Sequence, residues 1–169
     1  LMGEGRVHDA NGIEMETAKA LAAAGIKPIE LEAKEGLALI NGTDGMLGML
    51  IMAINDLTEL CTVADITTAM SIEGLLGTDR VFAPDLHFPL RPQVGQAQSA
   101  ANIFAMLKGS PIVASHREND SRVQDAYSLR CAPQVAGAVR DTIAHAAIIA
   151  TRELASAIDN PVVLPDGRV

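Results

Sequence analysis

The stretch that decides the fold is DGMLGMLIMAINDLTELCTVADITTAMSIEGLL, residues 44–76. Leu47, Leu50, Ile51, Ile54, Leu57, Leu60, Cys61 and Ala64 recur at helical spacing, while Asn55, Asp56, Glu59 and Asp65 fall between them. That periodicity predicts one long helix from about Asp44 to about Leu76. Gly45 and Gly48 weaken its first turns by about 1 kcal/mol each relative to Ala, so the helix is expected to pack tightly there.

Working outward, a second long helix is predicted from Pro133 to Ile158. Its apolar face is Val135, Val139, Ile143, Ala146, Ala147, Ala150, Leu154 and Ile158, and Asn160-Pro161 closes it. Shorter helices are predicted over Glu14–Ala24, Ala33–Ile40 and Gly95–Leu107. Pro84, Pro89 and Pro92 make 77–92 an extended loop, and Val113–Ala126 reads as polar and irregular, with His116-Arg117-Glu118-Asn119-Asp120 exposed. Val162–Leu164 reads as a short strand before a turn at Pro165-Asp166-Gly167. The fold class is mainly α, a long-helix bundle. Such helices need partners on both sides, which missing sequence or other subunits would supply.

Composition agrees. Of 169 residues, 49% are hydrophobic and 20% charged, with no Trp and one Tyr, so the core is built from small aliphatic side chains. A net charge of −8 argues against nucleic-acid binding, which depends on Lys and Arg neutralising phosphates. The apolar run Met46–Ile54 is far shorter than the ~20 residues of a membrane span, and no signal peptide is visible, so a cytoplasmic location without membrane contact is expected. Cys61 and Cys131 are read as small buried hydrophobes in a reducing compartment. His8, His116 and His145 lack partners at ligand spacing, so no metal is expected. Neither Leu1-Met2 nor Arg168-Val169 reads as a domain boundary, so the chain is expected to be an internal fragment.

Three polar stretches stand out. Asn41, ahead of Gly42-Thr43, either caps a turn or presents its amide to a ligand. Gln124, Tyr127 and Arg130 follow at three-residue spacing and would share the face of one helical turn. Arg130 suits a substrate carboxylate, Tyr127 can move a proton, and Gln124 both donates and accepts. The alternative is an ordinary helix start with solvated polar groups. His87, in the proline-rich loop, is structural or exposed.

Ala33-Lys34-Glu35-Gly36-Leu37-Ala38-Leu39-Ile40-Asn41-Gly42-Thr43 and Arg122-Val123-Gln124-Asp125-Ala126-Tyr127-Ser128-Leu129-Arg130-Cys131-Ala132-Pro133-Gln134-Val135, supported by Asp159-Asn160-Pro161, resemble the aromatic amino acid ammonia-lyases that use 4-methylideneimidazol-5-one (MIO). The version here is most similar to the histidine-deaminating, actinobacterial branch. The resemblance implies an aspartase/fumarase-like helical bundle, with residues 1–169 an internal part of the lyase helical domain. It implies elimination of ammonia from L-histidine to give trans-urocanate, and a homotetramer with shared active sites. MIO would form from an Ala-Ser-Gly triplet upstream of residue 1, so the chain alone would be inactive. By the same resemblance, Asn41 lies beside the electrophile and the amino-acid end of the substrate and Gln124 lines the site. Tyr127 positions and handles a proton, and Arg130 binds the carboxylate. Tyr127 and Arg130 would serve a neighbouring subunit's site. Gln93 departs from the family, where His is common. The competing expectations are a tyrosine or phenylalanine ammonia-lyase or 2,3-aminomutase, and a non-catalytic helical assembly module left from a lyase.

Overall fold

A computed structural model describes residues 1–169. The chain divides into two compact units, Leu1–Thr43 with Ala157–Val169, and Asp44–Ser156.

The smaller unit opens with an antiparallel hairpin, β1 (Arg6–His8) and β2 (Glu14–Glu16), in which Val7 faces Met15. Asp9 closes the turn: its Oδ1 accepts from the backbone nitrogens of Asn11 and Ile13 at 2.9 and 2.8 Å. Gly12 takes a positive φ of 79° there. The helix predicted from Glu14 therefore begins only at Thr17, as α1 (Thr17–Ala23), because residues 14–16 are paired with β1. Asn11-Gly12 between apolar Val7 and Met15 was the sequence signal for that hairpin. Helix α2 (Glu35–Ile40) follows. Its N-cap, Lys34, sits in the left-handed region at φ 70°, and its Nζ bonds Asp159 Oδ2 at 2.7 Å and the Pro161 carbonyl. Residues 162–164 form no strand; the chain instead turns back, with Leu164 N donating to Arg168 O at 2.8 Å. No other strand lies alongside to pair with it.

The larger unit is built on α3 (Asp44–Gly74), α4 (Val94–Leu107) and α7 (Ala132–Leu154), which pack on one another in all three pairings. Two short helices, α5 (Pro111–Ser115) and α6 (Tyr127–Arg130), complete it. By length and composition alone α3 is apolar enough to cross a membrane. Its buried residues are Leu47, Cys61, Asp65, Ala69 and Ile72, while Leu50, Leu57 and Leu60 of the expected stripe remain exposed. Ala69, Ile72, Phe82, Ile103, Leu107 and Val113 form the core.

Three expectations are corrected here. Residues 77–92 are not extended throughout. They contain two 3₁₀ turns, Arg80–Phe82 and Pro84–Leu86; Pro84 opens the second, and Phe82 is buried in the core. Helix α7 ends at Leu154 rather than Ile158, because Asp159 is held by Lys34 and Asn160 precedes a proline, which disfavours helix. The close helix contact is not at Gly45 and Gly48, where an added Cβ would meet nothing. It is between Gly95 of α4 and Gly137 of α7: a Cβ on Gly137 would press into the backbone of Gln96, and one on Gly95 into the carbonyl of Gly137.

A charged cluster joins the three helices. Asp65 Oδ1 accepts from Ser99 Oγ at 2.5 Å. Its Oδ2 accepts from Asn102 Nδ2 at 2.8 Å and from Arg140 at 2.5 Å. Arg140 also reaches the Cys61 carbonyl at 2.9 Å. Asp141 Oδ1 accepts from Gly95 N at 2.9 Å, satisfying a free N–H in the first turn of α4. His87 is buried and structural. Its Nε2 donates to the Val81 carbonyl at 2.9 Å, which leaves Nδ1 to accept from Gln96 at 3.0 Å.

Candidate active site

Ala126 accepts from the backbone nitrogens of both Leu129 and Arg130, and this winds residues 127–130 into the single turn of α6. Leu129 packs inward against the core, so Tyr127 and Arg130 are left on the outer side. The Arg130 guanidinium carbon lies 4.0 Å from the centre of the Tyr127 ring. A cation over an aromatic face is worth about 0.5–1 kcal/mol where it is exposed, as Tyr127 is. Arg130 is half-buried, and its Nε is buried without a hydrogen-bond partner. An unpaired buried donor on a cation is costly unless an acceptor arrives.

Tyr127 lines a groove of about 480 Å³ between α3, α6 and α7. Leu57, Leu60 and Cys61 form one wall, Val135 and Val139 the other, with Tyr127, Ser128 and Cys131 at α6. The α7 residues expected to be core here, Val135 and Val139, thus remain exposed along the groove. Both cysteines are free; Cys61 is buried and Cys131 half-buried.

Gln124 does not share a turn with Tyr127 and Arg130, because the helix starts only at Tyr127. It lines a separate polar cleft of about 200 Å³ with Asp79, His116, Arg117, Asp120 and Arg122. Segment 116–125, expected to be polar and irregular, is bonded to the backbone that follows α3. Arg122 donates to the carbonyls of Leu75, at 3.0 Å, and Leu76; His116 Nε2 lies 3.0 Å from Gly77 O; and Asp125 Oδ2 accepts from Thr78 N at 2.7 Å. The Arg122 guanidinium also holds the Asp120 carboxyl down at about 2, well below its ordinary range. Asn41 belongs to the smaller unit. It is the exposed C-cap of α2, and its N donates to the Leu37 carbonyl at 2.9 Å. No group of three or more His, Cys, Asp or Glu side chains is placed to hold a metal ion.

Reasoning from residue types passed over Asp65, Arg140, Arg122 and Asp125. Asp65 had a signal: a carboxylate at helical spacing from Cys61, Ala69 and Ile72 must find a buried cation, and Arg140 is the first cation of α7. Arg122 and Asp125 had none beyond their nearness to Tyr127.

A family profile described as aromatic amino acid lyase matches residues 1–169. The chain is 63% identical, over its whole length, to the histidine ammonia-lyase of Streptomyces coelicolor, of which it covers 33%. It is 53% identical over 99% of its length to that of Sorangium cellulosum, covering 32% of it. Among solved structures, tyrosine aminomutase from Streptomyces globisporus superposes with a TM-score of 0.75 at 40% identity, covering 99% of this chain and 35% of that one. Histidine ammonia-lyase from Trypanosoma cruzi does so with 0.71 at 38% identity, covering 98% and 30%. The chain therefore spans about a third of the length of the curated relatives it matches.

Proposed function

The chain belongs to the aromatic amino acid lyase family, and on that premise we propose that it forms part of a histidine ammonia-lyase, which eliminates ammonia from L-histidine to give trans-urocanate. The observation that carries this reading is the Arg130–Tyr127 pair, with its buried, unpartnered guanidinium nitrogen, in a chain 63% identical to one such enzyme.

The residues present fit the amino-acid end of the substrate. Arg130 offers a planar donor fork that suits a carboxylate, and the incoming oxygen would satisfy the orphaned Nε. Stacking against Tyr127 fixes the plane of that fork. The Tyr127 phenol is exposed and free to hold or move a proton at its oxygen. By the family resemblance Asn41 is assigned to the amino-acid end of the substrate and Gln124, which lines the separate polar cleft, to the lining of the site. The Ala-Ser-Gly triplet that gives rise to MIO does not occur in residues 1–169. When bound, MIO supplies the electrophile that makes the amino group a better leaving group.

The whole protein is read as a cytoplasmic homotetramer, in which Tyr127 and Arg130 serve a site shared with a neighbouring subunit. It engages neither nucleic acid nor membrane. The net charge of −8 supports the first exclusion. The Asp65–Arg140 ion pair, which commits the middle of α3 to helix packing, supports the second.

The full-length protein is tested with L-histidine, L-tyrosine and L-phenylalanine, following product by ultraviolet absorbance. Fastest turnover of L-histidine to urocanate is expected, and none from the 169-residue chain alone. A clear preference for tyrosine or phenylalanine defeats the histidine assignment. It would favour the second reading, an ammonia-lyase or 2,3-aminomutase for those substrates, which the likeness to tyrosine aminomutase supports.

A further inference from the structure

We propose that Asp125 and Arg122 are positioning residues for the Tyr127–Arg130 pair. The inference rests on the reading above that Arg130 holds the substrate carboxylate.

Gly77 N donates to Ile72 O at 2.7 Å, the closing bond of a Schellman-type stop, and Leu76 takes the left-handed conformation at φ 54°. Glycine usually occupies that position, because a Cβ there is strained. Strain of this kind persists only where the surroundings hold the backbone in place. Here four consecutive residues are held. The carbonyls of Leu75, Leu76 and Gly77 and the nitrogen of Thr78 each bond a side chain from segment 116–125. Gly77 is part of the fit, since a Cβ there would stand 3.1 Å from Asp125 Oδ2.

The far side of that backbone is the core, through Ile72. Asp125 therefore ties the start of α6 to backbone anchored in the core. Leu129, half-buried and packed against the same core, ties its end. Tyr127 lies between the two anchors and Arg130 directly after the second. Without Asp125 only Leu129 remains, and the turn can pivot about it, moving both the phenol and the guanidinium. Arg122 makes the same attachment one step earlier in the chain, and pairs with Asp120 at 2.7 Å.

The test uses the full-length protein, with L-histidine as substrate and its decarboxylated analogue, histamine, as a competitive probe that lacks the carboxylate. Asp125→Ala is expected to lower kcat/KM by roughly 10- to 100-fold, the scale of a misplaced catalytic geometry, mostly through KM. Histamine inhibition should stay near wild type. Asp125→Asn, which keeps an oxygen acceptor for Thr78 N, should restore most of the loss. Arg122→Ala removes an exposed side chain and leaves no buried cavity, so it reports even if Asp125→Ala does not fold; the same rise in KM is expected. A variant that loses only folded fraction, with KM and the histidine-to-histamine discrimination unchanged, overturns the proposal. A wild type that deaminates no aromatic amino acid removes the functional reading and this inference with it. A wild type that turns over normally beside variants of unchanged KM removes this inference alone.

Discussion

Asp65 shows how much a single side chain decides. Its side chain is 2% exposed and that of Arg140 10%, so neither charge can be stabilised by water. Removing one partner leaves the other uncompensated, at a cost of about 3–5 kcal/mol, whereas replacing both by apolar groups of similar volume costs far less. Asp65→Ala should therefore lower the urea midpoint much more than the Asp65→Leu, Arg140→Met double variant; equal losses would show the pair to be energetically idle. Asp120 behaves oppositely, because it is at the surface. Its folded value of about 2 lies below the ordinary 3.8, so what it contributes is fully present above pH 4 and is lost as pH falls through 2. Amide exchange at residues 76–78, taken relative to its intrinsic rate at each pH, should accelerate over that window in the wild type. In Asp120→Asn it should already be faster at pH 5; a flat profile in both would disconnect Asp120 from the segment it sits in.

At the scale of elements, α4 and α7 meet backbone to backbone through Gly95 and Gly137. Gly137→Ala would ordinarily favour a helix by about 1 kcal/mol. Here the new methyl must push α4 away, and overpacking of that kind costs about 1–3 kcal/mol or more. Net destabilisation is expected in denaturant titrations, with Gly48→Ala, where the space is open, as the stabilised control. These contacts also explain what the sequence made legible. The long helices were visible because Leu, Ile and Ala recur at helical spacing in 44–76 and 133–154. The face that joins α7 to α4 was not, since Gly137, Arg140 and Asp141 carry no apolar signal. The hairpin was missed because Glu14–Glu16 continues a helical pattern, which masked the Asn11-Gly12 turn signal; pairing with Arg6–His8 decides it. Asn41, Tyr127 and Arg130 were singled out by residue type. The attachment of segment 116–125 was not legible because its bonds go to backbone groups nearly fifty residues away, which no local pattern records.

At the scale of the molecule, much apolar surface is uncovered. Met46, Met49, Met52 and Leu60 on α3, and Val135 and Leu154 on α7, are all exposed. Apolar patches of this extent drive association in water. The 169-residue chain in isolation should self-associate, so a monodisperse monomer in light scattering would contradict this expectation. The division into units has a different consequence, for synthesis on the ribosome. The smaller unit needs both its first 43 residues and residues 157–169, joined by the Lys34–Asp159 bond. The larger unit is continuous in the chain. At typical elongation rates the early segment waits on the order of ten seconds for its remainder. A lone two-stranded hairpin is marginal in water over that interval. Residues 1–43 are thus secured only well after they are made, and chaperones have long access to them.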